Sequence, residues 1–147
     1  MTVMGERTGT LTAADIAEGV RSSMLDAEQL VADALARIAR HDEVLAAFET
    51  VRTEAALCEA RDVMRRVAAG EQLPLAGVPI AIKDIVPVSG EVMRAGSHAT
   101  DRTPQSADHS VVARLRAAGA VVVGTTTLPE AGLWLTTDGD RVTRNPW

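Results

Sequence analysis

The segment GVPIAIKDIVPV, residues 77–88, decides the fold class of this chain. Before it, apolar residues recur at helical spacing, whereas here they form a short run rich in valine and isoleucine. Pro79 and Pro87 frame this run, which predicts a strand from about Ile80 to Ile85. The segment also contains Lys83, the only lysine of the sequence, since the other basic residues are all arginine.

The residues that follow complete a crossover unit. SADHSVVARLRAAGA, residues 106–120, predicts a helix that starts at a cap of Ser106 or Asp108 and ends at Gly119. Its predicted inward residues are Val111, Val112, Leu115 and Ala118. AVVVGTT, residues 120–126, is an unbroken β-branched run typical of a buried parallel strand. Strand, helix and strand in this order predict an α/β fold with a right-handed crossover.

A helical layer is predicted upstream of this unit, over residues 12–70. Thr12 with Asp15, and Asp26 with Gln29, have the spacing of helix N-caps. A third helix is predicted from Thr53 to about Ala69, and LAAFETV, residues 45–51, has room for a short strand. The predicted core stripes are Leu30, Val31, Ala34, Leu35 and Ile38 in the second helix, and Ala56, Leu57, Ala60, Val63, Met64 and Val67 in the third.

Composition excludes several classes of protein. The chain is 46% hydrophobic, enough for a packed core, and its formal net charge of −5 disfavours nucleic acid or an anionic membrane as a partner. One cysteine allows no disulfide within the chain. Residues 1–10 lack the apolar centre of a signal peptide, and no apolar run has the length of a membrane span. We therefore expect a cytoplasmic protein.

Two interpretations of Lys83 follow from strand alternation, which directs Ala81, Lys83 and Ile85 to one face of the strand and the other residues to the opposite face. Lys83 can emerge at the strand end and pair with Asp84 or another carboxylate. Alternatively, burial can lower the pKa of its amine and make it a usable base. Spacing within the sequence does not choose between them.

Several motifs together resemble the amidase signature family, whose members are serine hydrolases of carboxamides and include the amidotransferase A subunit that acts with glutamyl-tRNA. The resemblance extends from about Leu11 to Trp147 and is most specific in the second half of the chain. The motifs, in chain order, are LPLAGVPIAIKDIVPVSG (73–90), AGSHAT (95–100), DHSVVARLRAAGAVVVGTTTLPEAG (108–132) and TRNPW (143–147). The resemblance implies the amidase signature fold, of which residues 1–147 are an incomplete N-terminal part.

The resemblance implies that Lys83 is the catalytic lysine of a Ser–Ser–Lys site. In such a site, neutral lysine accepts a proton through a serine held by a cis peptide, and that serine activates the nucleophilic serine. Arginine cannot replace the lysine, because guanidinium does not deprotonate in proteins. The family's two serines lie in Gly/Ser-rich segments beyond the Asn-Pro-Trp motif, which here is Asn145 to Trp147.

The sequence therefore predicts an N-terminal fragment that carries the catalytic lysine but neither serine, and that is inactive alone. The expected partners are a complementing C-terminal chain, a second copy of this chain, and an amide substrate once the site is complete. No cofactor and no metal ion are expected. The alternative is a degenerate remnant without activity, or a module that binds another chain.

Other reactive residues are weaker candidates. Cys58 has no nucleophile motif around it and is expected to be a small, half-buried helix residue. The histidines His41, His98 and His109 lack metal-ligand spacing. The serines lack a nucleophile-elbow context: Ser22, Ser23, Ser89, Ser97, Ser106 and Ser110. Ser97 is expected in a turn. Asp84 is either a residue that orients the lysine strand or a solvated carboxylate, and these alternatives stay open.

Overall fold

The computed structural model describes residues 11–137 and 142–147. The polar N-terminal stretch, residues 1–10, which the sequence predicts is not a signal peptide, lies outside the described residues. The described elements are α1 (Ala13–Arg21), α2 (Ala27–Leu45), β1 (Phe48–Val51), α3 (Thr53–Ala68), β2 (Pro79–Lys83), α4 (Ser110–Ala117) and β3 (Val121–Thr126). A tight turn at Glu130–Gly132 follows β3. The α/β class predicted from the sequence is confirmed.

The caps predicted for the first two helices are confirmed. The side chain of Thr12 accepts the backbone N–H of Asp15, whose carboxylate accepts the N–H of Thr12 in return. The carboxylate of Asp26 accepts the N–H of Gln29 at 3.0 Å. Because each bond spans three positions, local sequence is sufficient to specify where these helices begin.

The helical layer and the sheet share one core. Helix α3 packs on α2 and on strand β3, and it brings the predicted small residues inward. The buried members of the predicted stripes are Leu30, Val31, Ala34 and Leu35 of α2, and Ala56, Ala60 and Val63 of α3. The small side chains on α3 allow the helix to approach its neighbours closely. A second apolar cluster lies between α4 and the sheet, around Val112 and Val122.

The described sheet has three strands in the order β1-β3-β2, so the last strand in the sequence is central. Strand β2 pairs with β3 in parallel, and α4 connects them, as the crossover prediction requires. Strand β1 pairs with β3 antiparallel, with an irregularity between Phe48 and Thr50. Among the described residues, β1 and β2 are therefore the edge strands.

Strand β2 is shorter than predicted. It ends at Lys83, because the N–H groups of Ile85 and Val86 turn back onto the Lys83 carbonyl at 2.8 and 2.9 Å. Pro79 is the first residue of the strand rather than its frame, a position that tolerates the missing N–H. The early end places the lysine at the carboxyl edge of the sheet.

Helix α4 differs from the prediction at its start and on its inward face. The N-cap is His109, whose ring nitrogen Nδ1 accepts the N–H of Val111 at 3.2 Å. Neither Ser106 nor Asp108 is the cap, and Asp108 instead binds Arg116. Val111 is 51% exposed, whereas Val112 is fully buried. The prediction failed at Val111 because adjacent residues lie about 100° apart around a helix, and Val112 is the one of this pair that packs against the sheet.

A buried arginine bonds to the side of β3 that lies beyond the end of the four-residue β1. The side chain of Arg52 is only 6% exposed, and its Nη1 donates to the backbone carbonyl of Val122 at 2.8 Å. The carboxylate of Glu59 accepts the N–H of Val122 at 3.1 Å. Two side chains thus satisfy strand groups that no neighbouring strand reaches.

The same arginine belongs to a network of ion pairs that joins α3 and α4 to the segments between the elements. Arg52 binds Glu91 at 2.7 Å and Glu59 at 2.8 Å, and Glu59 in turn binds Arg116 at 2.8 Å. Arg116 also binds Asp108 at 2.7 Å. Burial alone would lower the pKa of Arg52, but its hydrogen bonds and charge interactions with the two glutamates outweigh burial and raise it. The arginine therefore remains charged inside the fold.

Candidate functional site

Lys83 lies at the carboxyl ends of two parallel strands. It is the last residue of β2 and is in register with Thr126, the last residue of β3. Its side chain is exposed, whereas Ile82 and Asp84 on either side of it are buried. Ligands of open α/β sheets bind outside the carboxyl ends of strands, so this edge is the candidate site.

Asp84 is buried, which excludes a solvated carboxylate. The residue is 1% exposed, and its Oδ2 accepts the N–H groups of Arg94 at 2.9 Å and Ala95 at 3.1 Å. Burial raises the pKa of Asp84 above its ordinary value, although the N–H donors oppose this shift. The two hydrogen bonds support the alternative in which Asp84 orients the lysine strand.

The residues that Asp84 holds form a tight turn, Arg94 to Ser97, here called the first turn. The N–H of Ser97 donates to the carbonyl of Arg94 at 2.9 Å. The central residues Ala95 and Gly96 have φ of 52° and 70°, the positive values of a type I′ turn. A Cβ on Gly96 would lie 2.5 Å from the carbonyl oxygen of Leu128, so this position requires glycine.

A second turn, Glu130 to Leu133, has the same form and packs against the first. The N–H of Leu133 donates to the carbonyl of Glu130 at 3.1 Å, and Ala131 and Gly132 have φ of 51° and 69°. The N–H of Ala131 donates to the carbonyl of Ala95 at 2.8 Å. Sequence reasoning missed this pairing, although each turn contains the dipeptide Ala-Gly.

Lys83 lies beside the second turn. The Nζ atom of Lys83 is 3.5 Å from the position that a Cβ on Gly132 would occupy. Both alanines of the turns adopt a left-handed conformation that costs an L-residue about 1–2 kcal/mol. Such strain persists only where the surroundings hold it, and it is concentrated at functional sites. The strained turns and the lysine therefore mark the same place.

Ser97 lies in the first turn, as its predicted turn role requires. Its hydroxyl donates to Oε1 of Glu130 at 2.7 Å and accepts the N–H of Ala99 at 3.2 Å. These bonds connect the first turn to the second. Ser22 has a different local role, since its hydroxyl donates to the carbonyl of Glu18 at the end of α1.

Cys58 is more exposed than predicted. It lies on the outer side of α3 and lines a surface cleft of about 480 Å³ that Arg65, Arg66 and Arg116 also line. Lys83 is not among the lining residues. The structure thus keeps the cysteine apart from the candidate site.

The histidines show no sign of a metal centre. Within residues 11–137 and 142–147, no three His, Cys, Asp or Glu side chains come together as a possible metal site. His109 caps α4, a role that the sequence analysis did not assign to it. In the same part of the chain, no helix combines the length and apolar character of a membrane span.

Comparison with known proteins identifies the family. The Amidase family model matches residues 29–147, which include Lys83, both turns and all three strands. This chain belongs to the amidase signature family. The resemblance noted from its motifs is therefore confirmed for the family and the fold.

Two curated relatives and one solved structure illustrate the similarity. A Mycobacterium tuberculosis protein that carries the name amidase AmiB2 is 44% identical over 137 residues, which are 92% of this chain and 29% of AmiB2. The second relative is the glutamyl-tRNA(Gln) amidotransferase A subunit from Salinispora tropica. It is 40% identical over 141 residues, which are 94% of this chain and 29% of that relative.

The solved structure comes from work on a vestigial protein complex that reveals the evolutionary origins of an s-triazine catabolic enzyme. It superposes with a TM-score of 0.76 at 38% identity and covers 82% of this chain and 27% of the other. This amidase-family chain thus spans less than one third of the length of the relatives that it matches.

Proposed function

We propose that this chain supplies the general base, Lys83, of an amidase whose two serines and oxyanion donors come from the part of the family fold beyond residue 147. Family membership supports this, together with the position of the lysine at the carboxyl edge of the sheet. In this proposal residues 1–147 are the N-terminal part of one amidase domain, and the reaction is hydrolysis of the C–N bond of a linear amide.

The proposed chemistry assigns one step to this chain. In the completed site, the amine of Lys83 accepts a proton that reaches it through a bridging serine from the nucleophilic serine. The nucleophile then forms an acyl-enzyme, the proton returns to the leaving amine, and water completes hydrolysis. The exposed side chain leaves the amine open to such a partner.

Exposed apolar residues support a complementing chain as the partner. Leu133 is the last residue of the turn beside Lys83, and Trp134 and Leu135 directly follow it. These three residues are 77%, 70% and 104% exposed. Trp147 at the chain end is 98% exposed. A chain carrying the rest of the family fold would bury these side chains and bring its serines to the lysine. The second candidate function is a non-enzymatic module that binds another chain, and the same exposed apolar residues support it.

A chimaera tests the proposal. Residues 1–147 would replace the matched segment of AmiB2, and amide hydrolysis would be assayed. We expect Lys83→Ala to lower turnover by several orders of magnitude. Lys83→Arg should lower it nearly as much, because the site needs a group that can accept a proton rather than a positive charge. Arg61→Met, which removes an exposed ion pair with Glu28, is the matched control and should leave turnover unchanged.

Three results would contradict the proposal. Activity of either lysine variant within about tenfold of the parent, a barrier change of about 1.4 kcal/mol, would make Lys83 structural. A folded but inactive chimaera would favour the non-enzymatic alternative. Residues 1–147 alone should remain unlabelled by a fluorophosphonate probe, and stoichiometric labelling of one of its serines would show a nucleophile that the proposal does not contain.

A further inference from the structure

We propose that Asp84 is a positioning residue for Lys83, because it holds the first turn and thereby seats the second turn beside the lysine amine. This inference rests on the proposed function only in giving the amine a catalytic purpose. The positioning itself is a property of residues 1–147 and can be measured in the chain without catalysis.

The first link is the bond between β2 and the first turn. Asp84 directly follows Lys83, and its backbone N–H continues the pairing with β3 by donating to the carbonyl of Thr126 at 3.1 Å. Its carboxylate accepts two N–H groups of the first turn, and its carbonyl accepts the N–H of Ala95 at 2.9 Å. The lysine and the turn are therefore attached to the same buried residue.

The second link is the contact between the two turns. The Ala95 carbonyl accepts the N–H of Ala131, and the Ser97 hydroxyl donates to the Glu130 carboxylate. Gly96 lies against the backbone before the second turn, where an added Cβ would come within 2.7 Å of the Pro129 carbonyl oxygen. Such close backbone packing leaves little freedom for one turn to move without the other.

The third link closes a ring. Gly132 of the second turn lies beside Nζ of Lys83. Lys83 is linked by its peptide bond to Asp84, the residue from which the first link starts. The six hydrogen bonds of these links each join residues ten or more positions apart. The two hydrogen bonds from the first turn to the Asp84 carboxylate are here called the Asp84 clamp. If the clamp is removed, the left-handed alanines of both turns lose part of the support that holds their conformation.

Two substitutions separate the clamp from the charge of Asp84. In Asp84→Asn the amide oxygen can still accept both N–H groups of the first turn, so the clamp remains while the charge is lost. In Asp84→Ala both are lost. The proposal predicts that Asn rescues the position of the lysine and that Ala does not.

The measurement uses the single lysine of the chain. Reductive methylation with ¹³C-formaldehyde labels only Lys83 and the N-terminal amine, which serves as an internal reference. We expect a nuclear Overhauser cross-peak between the Lys83 methyl groups and the Gly132 Hα atoms in the parent chain and in Asp84→Asn. In Asp84→Ala the cross-peak should be lost, and the methyl shift should move at least halfway to its value in urea.

Further variants keep the test decisive if Asp84→Ala does not fold. Ser97→Ala combined with Glu130→Gln weakens the turn contact without touching Asp84, and it should weaken the cross-peak. Arg61→Met is remote and should leave it unchanged. A parent-like cross-peak in folded Asp84→Ala, or in the double variant, would overturn the proposal, and so would equal loss in Asp84→Asn and Asp84→Ala. None of these results bears on the lysine assay in the chimaera, so the two proposals fail separately.

Discussion

Replacing Arg52 by Met should cost the chain about 3 kcal/mol of unfolding free energy. Breaking a buried ion pair by removing one partner costs about 3–5 kcal/mol. Arg52 qualifies because its side chain is 6% exposed and bonds to Glu59, Glu91 and the Val122 carbonyl. The carbonyl left unpaired accounts for about 1–3 kcal/mol of this loss.

Two features place the expected value at the lower end of that range. The glutamates are 23% and 20% exposed, so water can solvate part of their charge after the substitution. Glu59 also keeps its bonds to Arg116 and to the N–H of Val122. Met fills much of the volume of the arginine stem, so a large cavity should not add to the loss.

The assay is urea unfolding followed by circular dichroism, with Arg61→Met as the control. Arg61 pairs with Glu28 on the surface, where the two side chains are 54% and 44% exposed. Removing such a pair costs about 0.5 kcal/mol. If Arg52→Met loses less than about 1 kcal/mol of unfolding free energy, or no more than Arg61→Met, the network does not stabilise the backbone groups of β3 as proposed.

The remaining predictions concern pH, the glycine of the first turn and the sheet edges. Because burial raises the pKa of Asp84, the unfolding free energy falls as pH rises from the pKa of Asp84 in the unfolded chain towards its raised pKa in the folded chain. Asp84→Asn should gain stability relative to the parent over that pH window, and a difference independent of pH would refute this. Gly96→Ala should destabilise more than Gly90→Ala in urea titrations, since both need positive φ but only Gly96 faces backbone at 2.5 Å; equal losses would show that the turns do not pack as described. Edges β1 and β2 should drive self-association of purified residues 1–147; a monodisperse monomer in sedimentation, with stability above about 5 kcal/mol, would contradict this.

Features set by neighbouring residues could be predicted from the sequence. The caps at Thr12 and Asp26 join side chain and backbone three positions apart, and the β-branched run of β3 has few alternatives to a buried strand. The cap of α4 could not be predicted in this way. Asp108 is a better cap than His109 by intrinsic preference, but Ser89 and Arg116 occupy its carboxylate from distant positions.

In the candidate site, too, local features could be predicted from the sequence and contacts between distant residues could not. Family motifs indicated Lys83, and strand alternation placed Asp84 on the opposite face, but neither could show which residues surround the amine. The contact between the turns joins Ser97 to Glu130, which are 33 positions apart. The sequence contains five Ala-Gly dipeptides, and only those at 95–96 and 131–132 have positive φ at both residues, so the dipeptide alone could not identify the two turns.

The central position of β3 has a consequence for the order of folding. Strands β1 and β2 both pair with β3 and not with each other among the described residues, and β3 lies 70 or more positions after β1 and about 40 after β2. During synthesis, helices α1 to α3 can therefore form and associate through local contacts while both outer strands wait without a partner. The described sheet can pair only after residues 121–126 become available, and its pairing then carries the entropic cost of closing two long loops.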